Sequence, residues 1–380
     1  MPSKGKSTAS SIARLAARGR EIDPLVAKFR EEIILHPHFQ DGLDELAERI
    51  QYGDKQSITA IIGPTSVGKT AMIDEFSHEF SESMATVPEE NRTRLLSMEL
   101  AAPEAGPFKW KDDLYIPALE ALNEPCADWK IDVNKIRERF NSGDCHPAFA
   151  TQKLHVSDYR NLFYKAVDRA DVIAALFDEA DHLRRPTSDS GIFQNYDSLK
   201  SRSNACSAHF ALFGTVLLTD IFKQNGQISK RIYPIWQAPY SIKEMSLFCS
   251  GLLSIEEKSP VKLSFSIVQK QNELFSDSLG YLGLAHEQFD RAIVRAIDRG
   301  QKHLSWTDMT RERLHTSQLE GILNDTIQFM NVMKELDESL KQKRRIFFGS
   351  AEAQNTSEAP PSAVVRAPFK AKLKRETVGP

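Results

Sequence analysis

The chain has 380 residues, of which 41% are hydrophobic and 27% charged, and its formal net charge is −3. This length and composition suit about two globular domains. The longest uninterrupted apolar run, 172–177, is too short to span a membrane, and no apolar segment follows the charged N-terminus. We therefore expect a soluble, cytoplasmic protein with no membrane partner.

Charge is distributed unevenly along the chain. Residues 1–30 carry a net charge of +5 and residues 351–380 one of +2, so the body between them has a net charge of −10. We expect residues 1–22 to form a flexible basic segment and residues 349–380 to form a disordered, proline-containing basic tail.

The body shows the pattern of alternating strands and helices. Apolar spacing predicts two short helices on either side of His36-Pro37-His38, then strands at 57–62, 94–99, 172–177, 209–213 and 231–237. From Ser241 to about Arg345 the pattern is helical, with an interruption at Pro260. The expected fold class is α/β with a parallel sheet, as an α/β domain at 23–239 and a helical region at 240–348.

A glycine-rich loop follows the first predicted strand and precedes a helix. Its sequence, G-P-T-S-V-G-K-T, matches the pattern G-x-x-x-x-G-K-[ST]. The backbone N–H groups of such a loop surround a β-phosphate, and the helix N-terminus adds positive charge. We expect Lys69 to neutralise β- and γ-phosphate oxygens and the Thr70 hydroxyl to bind Mg²⁺. The predicted nucleotide-binding residues are Gly63, Pro64, Thr65, Ser66, Val67, Gly68, Lys69, Thr70 and Ala71.

Carboxylates follow the apolar strand predicted at 172–177. We expect Asp178 to hold Mg²⁺ through water and Glu179 to orient and deprotonate the attacking water. The alternative is that Asp178, Glu179 and Asp181 only cap the turn after the strand.

Two further positions are candidates for the same reaction. Thr215 could sense the γ-phosphate and position water, or it could be a plain strand end. Arg231 could reach the γ-phosphate of a neighbouring subunit as an arginine finger, because its planar fork suits a phosphoryl transition state. Alternatively Arg231 is an exposed arginine without that role, and Arg184 and Arg185 compete for it.

These motifs resemble those of the AAA+ ATPases, in G-P-T-S-V-G-K-T, D-E-A-D-H-L, the G-T strand end and S-K-R-I-Y-P-I-W. Within them the chain is most similar to the TnsC/TniB group of transposition regulators. The group signals are I-L-H-P-H-F, P-E-A-G-P-F-K-W-K-D-D-L-Y-I-P and S-L-G-Y-L-G-L-A. Over about residues 33–300, the resemblance implies an AAA+ P-loop fold with a helical lid, slow regulatory ATPase activity and the site roles given above. Many AAA+ lids carry a sensor arginine after the first lid glycine, but the segment 280–283 has none, so we assign no second sensor.

The resemblance also implies partners. Members of the group form ATP-dependent rings or filaments around double-stranded DNA and present a target site to a transposase. The implied partners are therefore duplex DNA, further copies of this chain, a transposase and target-selection proteins.

Lys109 and Lys111 alternate with aromatic residues in F-K-W-K and are the candidate DNA contacts. The alternative is a solvated loop with a packed Trp110. Two other functions stay open: a replication initiator or helicase loader of the AAA+ type, and a nucleotide-gated scaffold with negligible turnover.

Overall fold

The computed structural model describes residues 22–54, 57–103, 106–123, 155–185, 189–223 and 229–348. The chain divides into two compact units, Met1–Phe329 and Met330–Pro380. The segments predicted to be flexible or disordered, 1–22 and 349–380, lie outside the described residues except for Ile22.

A five-stranded sheet forms the centre of the first unit. Its strands are β1 (Ile58–Ile62), β2 (Arg94–Glu99), β3 (Val172–Asp178), β4 (His209–Gly214) and β5 (Ile232–Trp236). Their order is β2-β3-β4-β1-β5, and every pairing is parallel. The sequence-predicted strands are confirmed to within one residue at each end.

Burial explains why these segments form strands at these places. Every residue of β1 and β4, two of the three interior strands, is buried. β2 lies at the edge of the sheet and is more exposed. Interior parallel strands are covered on both faces, which is why they appear in the sequence as continuous apolar runs.

The α-helices of the α/β part lie before β1 and between successive strands along the chain. They are α1 (Pro24–Glu31), α2 (Pro37–Tyr52), α3 (Lys69–Ala85), α4 (Ile116–Ala121), α5 (Val156–Arg169) and α6 (Asp189–Ala205). α2 begins after His36, whose Nδ1 accepts a hydrogen bond of 3.4 Å from the backbone N–H of Phe39. Pro37 fits the first turn because that position has no intrahelical hydrogen bond to lose.

The part of the chain after β5 is helical, as the sequence predicts. Its helices are α7 (Met245–Lys258), α8 (Ile267–Ser278), α9 (Leu282–Asp298), α10 (Trp306–Arg311) and α11 (Thr316–Phe348). The sequence analysis missed a short parallel pair, β6 (Lys262–Leu263) with β7 (His303–Leu304). Two-residue strands show no periodicity, so only the pairing reveals them.

A separate hydrophobic core holds α7, α8, α9 and α10 together. Phe248, Leu252 and Phe289 are fully buried in it. Val26 and Phe29 of α1 belong to the same core, so α1 packs on the helical region. Among the described residues, no helix is both long and apolar enough to cross a bilayer.

Phe329 provides a test of how the first part of α11 packs. Its side chain is 0% exposed, and its ring lies 5.9 Å from that of Trp236 at the end of β5. We expect Phe329→Ala to lower the free energy of unfolding by about 3 kcal/mol, because a buried ring leaves a cavity. Urea unfolding followed by circular dichroism measures the change.

The matched control is Ile327→Ala on the same helix, where the side chain is 48% exposed. We expect it to change the free energy of unfolding by less than about 1 kcal/mol. Equal effects of the two substitutions would contradict the packing of α11 described here.

Candidate nucleotide site

The predicted site residues meet at the carboxyl edge of the sheet. The backbone N–H of Gly63, after β1, donates to the carbonyl of Gly214 at the end of β4, at 3.2 Å. The N–H of Gln237 donates to the carbonyl of Ile62 at 2.9 Å. Because β3 is parallel to these strands, Asp178 lies at the same edge.

The loop between β1 and α3 requires glycine at two positions. A Cβ atom on Gly63 would lie 2.6 Å from the backbone oxygen of Gln237, so no larger residue fits there. Gly68 has φ of 99°, a left-handed conformation that glycine adopts without steric cost. α3 begins at the next residue, Lys69, and its positive N-terminal end faces the loop.

The Lys69 ammonium lies across the start of this loop. Its Nζ donates hydrogen bonds of 3.0 Å to the carbonyls of Gly63 and Pro64. Burial lowers the pKa of Lys69, and the nearby carboxylates of Asp181, Asp178 and Glu179 act against that shift. Phosphate oxygens at this position would supply further negative charge to the ammonium.

The two predicted metal-binding side chains touch each other. The Thr70 hydroxyl donates a hydrogen bond of 2.6 Å to Oδ2 of Asp178. Asp178 is only 8% exposed, and its Oδ1 accepts a hydrogen bond of 2.9 Å from the backbone N–H of Glu179. The structure thus brings together a hydroxyl from the start of α3 and a carboxylate from the end of β3, and hard oxygen ligands are those that Mg²⁺ prefers.

Glu179 lies directly beside this pair in an unusual backbone conformation. Its φ is 50° and its ψ 37°, which non-glycine residues rarely adopt outside functional sites and tight turns. Partial burial raises the pKa of the Glu179 carboxyl, and Asp178 and Asp181 raise it further. A raised pKa makes a carboxylate a better proton acceptor near neutral pH.

Thr215 is held by a residue to which the sequence analysis gave only a capping role. Oδ2 of Asp181 accepts a hydrogen bond of 2.7 Å from the backbone N–H of Thr215. The buried Oδ1 of Asp181 makes no hydrogen bond within the described residues, and burial raises the pKa of this carboxyl. The Thr215 hydroxyl accepts a hydrogen bond of 3.3 Å from the backbone N–H of Leu217, so it also caps the following turn.

Arg231 directly precedes the amino-terminal end of β5, whereas the phosphate loop follows the carboxyl-terminal end of the neighbouring strand β1. Its carbonyl accepts a hydrogen bond of 2.9 Å from the N–H of Ile58, the first residue of β1. The five residues of β1 separate this point from the loop by roughly 16 Å. The Arg231 guanidinium donates a hydrogen bond of 2.6 Å to Oδ1 of Asn204.

Arg184 and Arg185, the alternative candidates for the arginine finger, come shortly after the carboxylates that follow β3. Arg184 forms an ion pair of 2.6 Å with Asp220 in the turn after β4. Arg185 is exposed, and its carbonyl accepts a hydrogen bond of 2.6 Å from the N–H of Phe108.

The residues at this edge fit a magnesium nucleotide. Gly63 and Gly68 give the loop a shape that larger residues would prevent, and Lys69 and the start of α3 supply positive charge. Thr70 and Asp178 supply the oxygen ligands. Lys69 would hold the phosphates, and Thr70 and Asp178 the metal.

Comparison with known proteins agrees with this geometry. Residues 51–222 match the family model of the AAA domain. The chain has an AAA+ P-loop fold. The fold class expected from the sequence is therefore confirmed, and the matched residues include the phosphate loop and Asp178.

Solved structures share this fold at low sequence identity. The ORC2 protein of Aeropyrum pernix, solved in ADPNP-ADP complexes, is 15% identical with a TM-score of 0.50, and the match covers 78% of this chain and 74% of that one. The ORC1 protein of Aeropyrum pernix, solved in complex with DNA, is 15% identical with a TM-score of 0.51, and the match covers 76% and 68%. No curated protein matches the sequence.

The predicted DNA-contacting segment, F-K-W-K, lies beside α5 and α6. The Trp110 indole N–H donates a hydrogen bond of 3.1 Å to Asn195, and the Arg202 guanidinium lies 3.6 Å from the Trp110 ring centroid. Trp110 therefore packs, as the alternative interpretation expects. Lys109 is exposed, whereas Lys111 lies 4.9 Å from the Tyr159 ring centroid.

Two residues that the sequence analysis did not assign also contact the phosphate loop. Gln237 packs against the loop, and Asp325 of α11 accepts a hydrogen bond of 2.6 Å from the Thr65 hydroxyl. Asp181 lies within the D-E-A-D motif, so its position was visible but its contact with Thr215 was not. Asp325 is 260 residues from Thr65, and no local pattern relates the two.

Proposed function

We propose that this protein is a Mg²⁺-dependent ATPase that assembles on double-stranded DNA and recruits a transposase to a target site. The observation that carries the enzymatic part is the contact of Thr70 with Asp178, with Glu179 beside it. Mg·ATP, when bound, would supply the transferable phosphoryl group and the metal charge that neutralises it.

Each residue of the site has a separate role in the proposed reaction. Lys69 and the loop N–H groups would bind the phosphates, and Thr70 and Asp178 would hold the metal. Glu179 orients a water for in-line attack and accepts its proton, which its raised pKa favours. Thr215, fixed by Asp181 at 2.7 Å, lies at the end of the neighbouring strand and is the proposed sensor.

The position of Arg231 supports an assembly of several copies. Arg231 lies at the amino-terminal end of β5, too far from the phosphate loop of its own chain. As an arginine finger it would therefore act on the nucleotide of a neighbouring copy. Repetition of subunits would also multiply weak DNA contacts into useful affinity.

Duplex DNA is the proposed surface for this assembly. Lys109 is exposed, and Lys109 and Lys111 are the proposed phosphate contacts of each subunit. Both chain ends add positive charge outside the acidic body. The ORC1 protein with a similar fold was solved in complex with DNA, which is consistent with this part of the proposal.

Transposase recruitment rests on the sequence resemblance to the TnsC/TniB group. The second candidate is a replication initiator or helicase loader, which the fold shared with the two ORC proteins favours. Both candidates use the same nucleotide chemistry and DNA binding, so they differ in the protein that is recruited.

The first prediction concerns the general base. We expect Glu179→Gln to reduce ATP hydrolysis by about 10²–10⁴-fold while ATP binding is retained, because the amide accepts no proton. We also propose that hydrolysis dissolves the assembly, so the variant should remain on duplex DNA longer in the presence of ATP. Phosphate release and electron microscopy of the DNA complexes measure the two effects.

The control is Glu257→Gln, the same substitution at an exposed position of α7. It should hydrolyse ATP at the wild-type rate. If Glu179→Gln hydrolysed ATP at the wild-type rate, Glu179 would not be the base. If neither the wild type nor Glu179→Gln hydrolysed ATP, a nucleotide-gated scaffold would be favoured. Absence of rings or filaments on DNA with a non-hydrolysable ATP analogue would contradict the assembly.

The second prediction places Arg231 at a neighbouring site. We expect Arg231→Ala and Lys69→Ala each to hydrolyse ATP poorly, because one lacks the finger and the other the phosphate contact. An equimolar mixture should regain activity, since the intact loop of one copy meets the intact Arg231 of the next. A coupled ATPase assay measures this.

The control for this mixture is Lys230→Ala, at the adjacent exposed position. It should be active by itself. No gain in the mixture above the sum of the two variants would exclude Arg231 as a finger acting between copies and would favour Arg184 or Arg185.

The third prediction separates the two candidate functions. The Glu179→Gln variant is expressed in the host cell, where it should stay assembled on DNA. Crosslinking and purification of this variant should recover a transposase. Mass spectrometry identifies the recovered proteins. Recovery of a replicative helicase instead would support the initiator or loader.

A further inference from the structure

One face of the first part of α11 contacts residues at the carboxyl edge of the sheet. Asp325 accepts a hydrogen bond from the Thr65 hydroxyl at 2.6 Å, and Thr326 shares one with the Tyr281 hydroxyl at 2.6 Å. One turn later, the fully buried Phe329 packs against Trp236 at 5.9 Å. These contacts join α11 to the phosphate loop, to the start of α9 and to the end of β5.

The Asp325 carboxylate lies close to the lysine of the phosphate loop. Thr65, which donates to Asp325, directly follows Gly63 and Pro64, whose carbonyls accept hydrogen bonds from Lys69. Burial lowers the pKa of Lys69, and Asp325 is among the carboxylates that act against the shift. A phosphate group held by Lys69 would therefore lie near a carboxylate from α11.

We propose that Asp325 sets the nucleotide preference of the site by disfavouring a triphosphate while it is bonded to Thr65. The inference rests on the proposed nucleotide-binding function and extends it to a residue outside the known motifs. Lysine of a P-loop reaches the β- and γ-phosphates, so the γ-phosphate brings additional negative charge to the region that Asp325 occupies. A diphosphate lacks that group and meets less repulsion.

The hydrogen bond of Asp325 has a second consequence. Binding of a triphosphate would favour opening of the Thr65–Asp325 contact, since two like charges in a partly solvated site repel each other. α11 would then be held at this edge more weakly with ATP than with ADP. The nucleotide state of the site would in this way determine how firmly residues 316–329 are docked.

The test compares affinities of the full-length protein for ADP and for a non-hydrolysable ATP analogue, both with Mg²⁺, by calorimetry. We expect Asp325→Asn and Asp325→Ser to lower the Kd of the analogue by about tenfold and the Kd of ADP by less than about threefold. The change should become smaller at high salt, because the interaction is electrostatic. Thermal unfolding establishes that each variant is folded.

The matched control is Glu320→Gln, which removes a negative charge from an exposed position of the same helix. It should leave both affinities unchanged. An unchanged or weaker affinity of the Asp325 variants for the analogue, with wild-type affinity for ADP, would overturn the inference and leave the proposed function intact. If neither wild type nor variants bound either nucleotide, the proposed function would be wrong and the inference with it.

Discussion

The register of β1 between β4 and β5 is the constraint on which the nucleotide site depends. Ile62, the last residue of β1, lies opposite both Gly214 and Trp236, so the phosphate loop leaves the sheet between two other strand ends. Gly63 then meets the Gln237 backbone on one side and the Gly214 carbonyl on the other. A slip of one residue would turn the side chains of β1 to the other face and remove both contacts. The position of the loop is therefore a property of the sheet as well as of the loop sequence.

Local patterns were sufficient to predict the sheet and the parts of the site that lie next to it. The strand ends are marked by a change from apolar residues to Gly63, Asp178 or Gly214, which is why they are predicted to within one residue. Contacts between distant segments leave no such mark. Asp181 reaches Thr215 across 34 residues and Asp325 reaches Thr65 across 260, and in each case only the fold brings the partners together. The predicted roles of Glu179, Thr215 and Arg231 depend on a bound nucleotide and stay predictions.

The electrostatics of the site explain why a cation belongs to the proposed chemistry. The carboxylates of Asp178, Glu179 and Asp181 lie near the Lys69 ammonium, and burial opposes charge on Lys69, Glu179 and Asp181 alike. A phosphate chain would add negative charge to this acidic edge. A divalent cation held by Asp178 would offset that charge. Burial, with the neighbouring carboxylates, raises the pKa of Glu179 and so favours proton acceptance. The acidity of the body is thus compatible with binding of an anionic ligand.

The opposite positions of the phosphate loop and Arg231 also restrict how copies can associate. In a two-fold symmetric dimer the same patch of both subunits meets, so each Arg231 reaches the loop of the other copy only if one patch contains both features. If the loop and Arg231 lie on different patches, contact of Arg231 with a neighbouring nucleotide needs these two surfaces to meet from head to tail. Such contacts repeat until they close into a ring or continue as a helical filament. The proposed finger therefore requires that copies associate, because an arginine at the amino end of β5 lies too far from the phosphate loop of its own chain, and a head-to-tail contact would produce the ring or filament proposed on DNA.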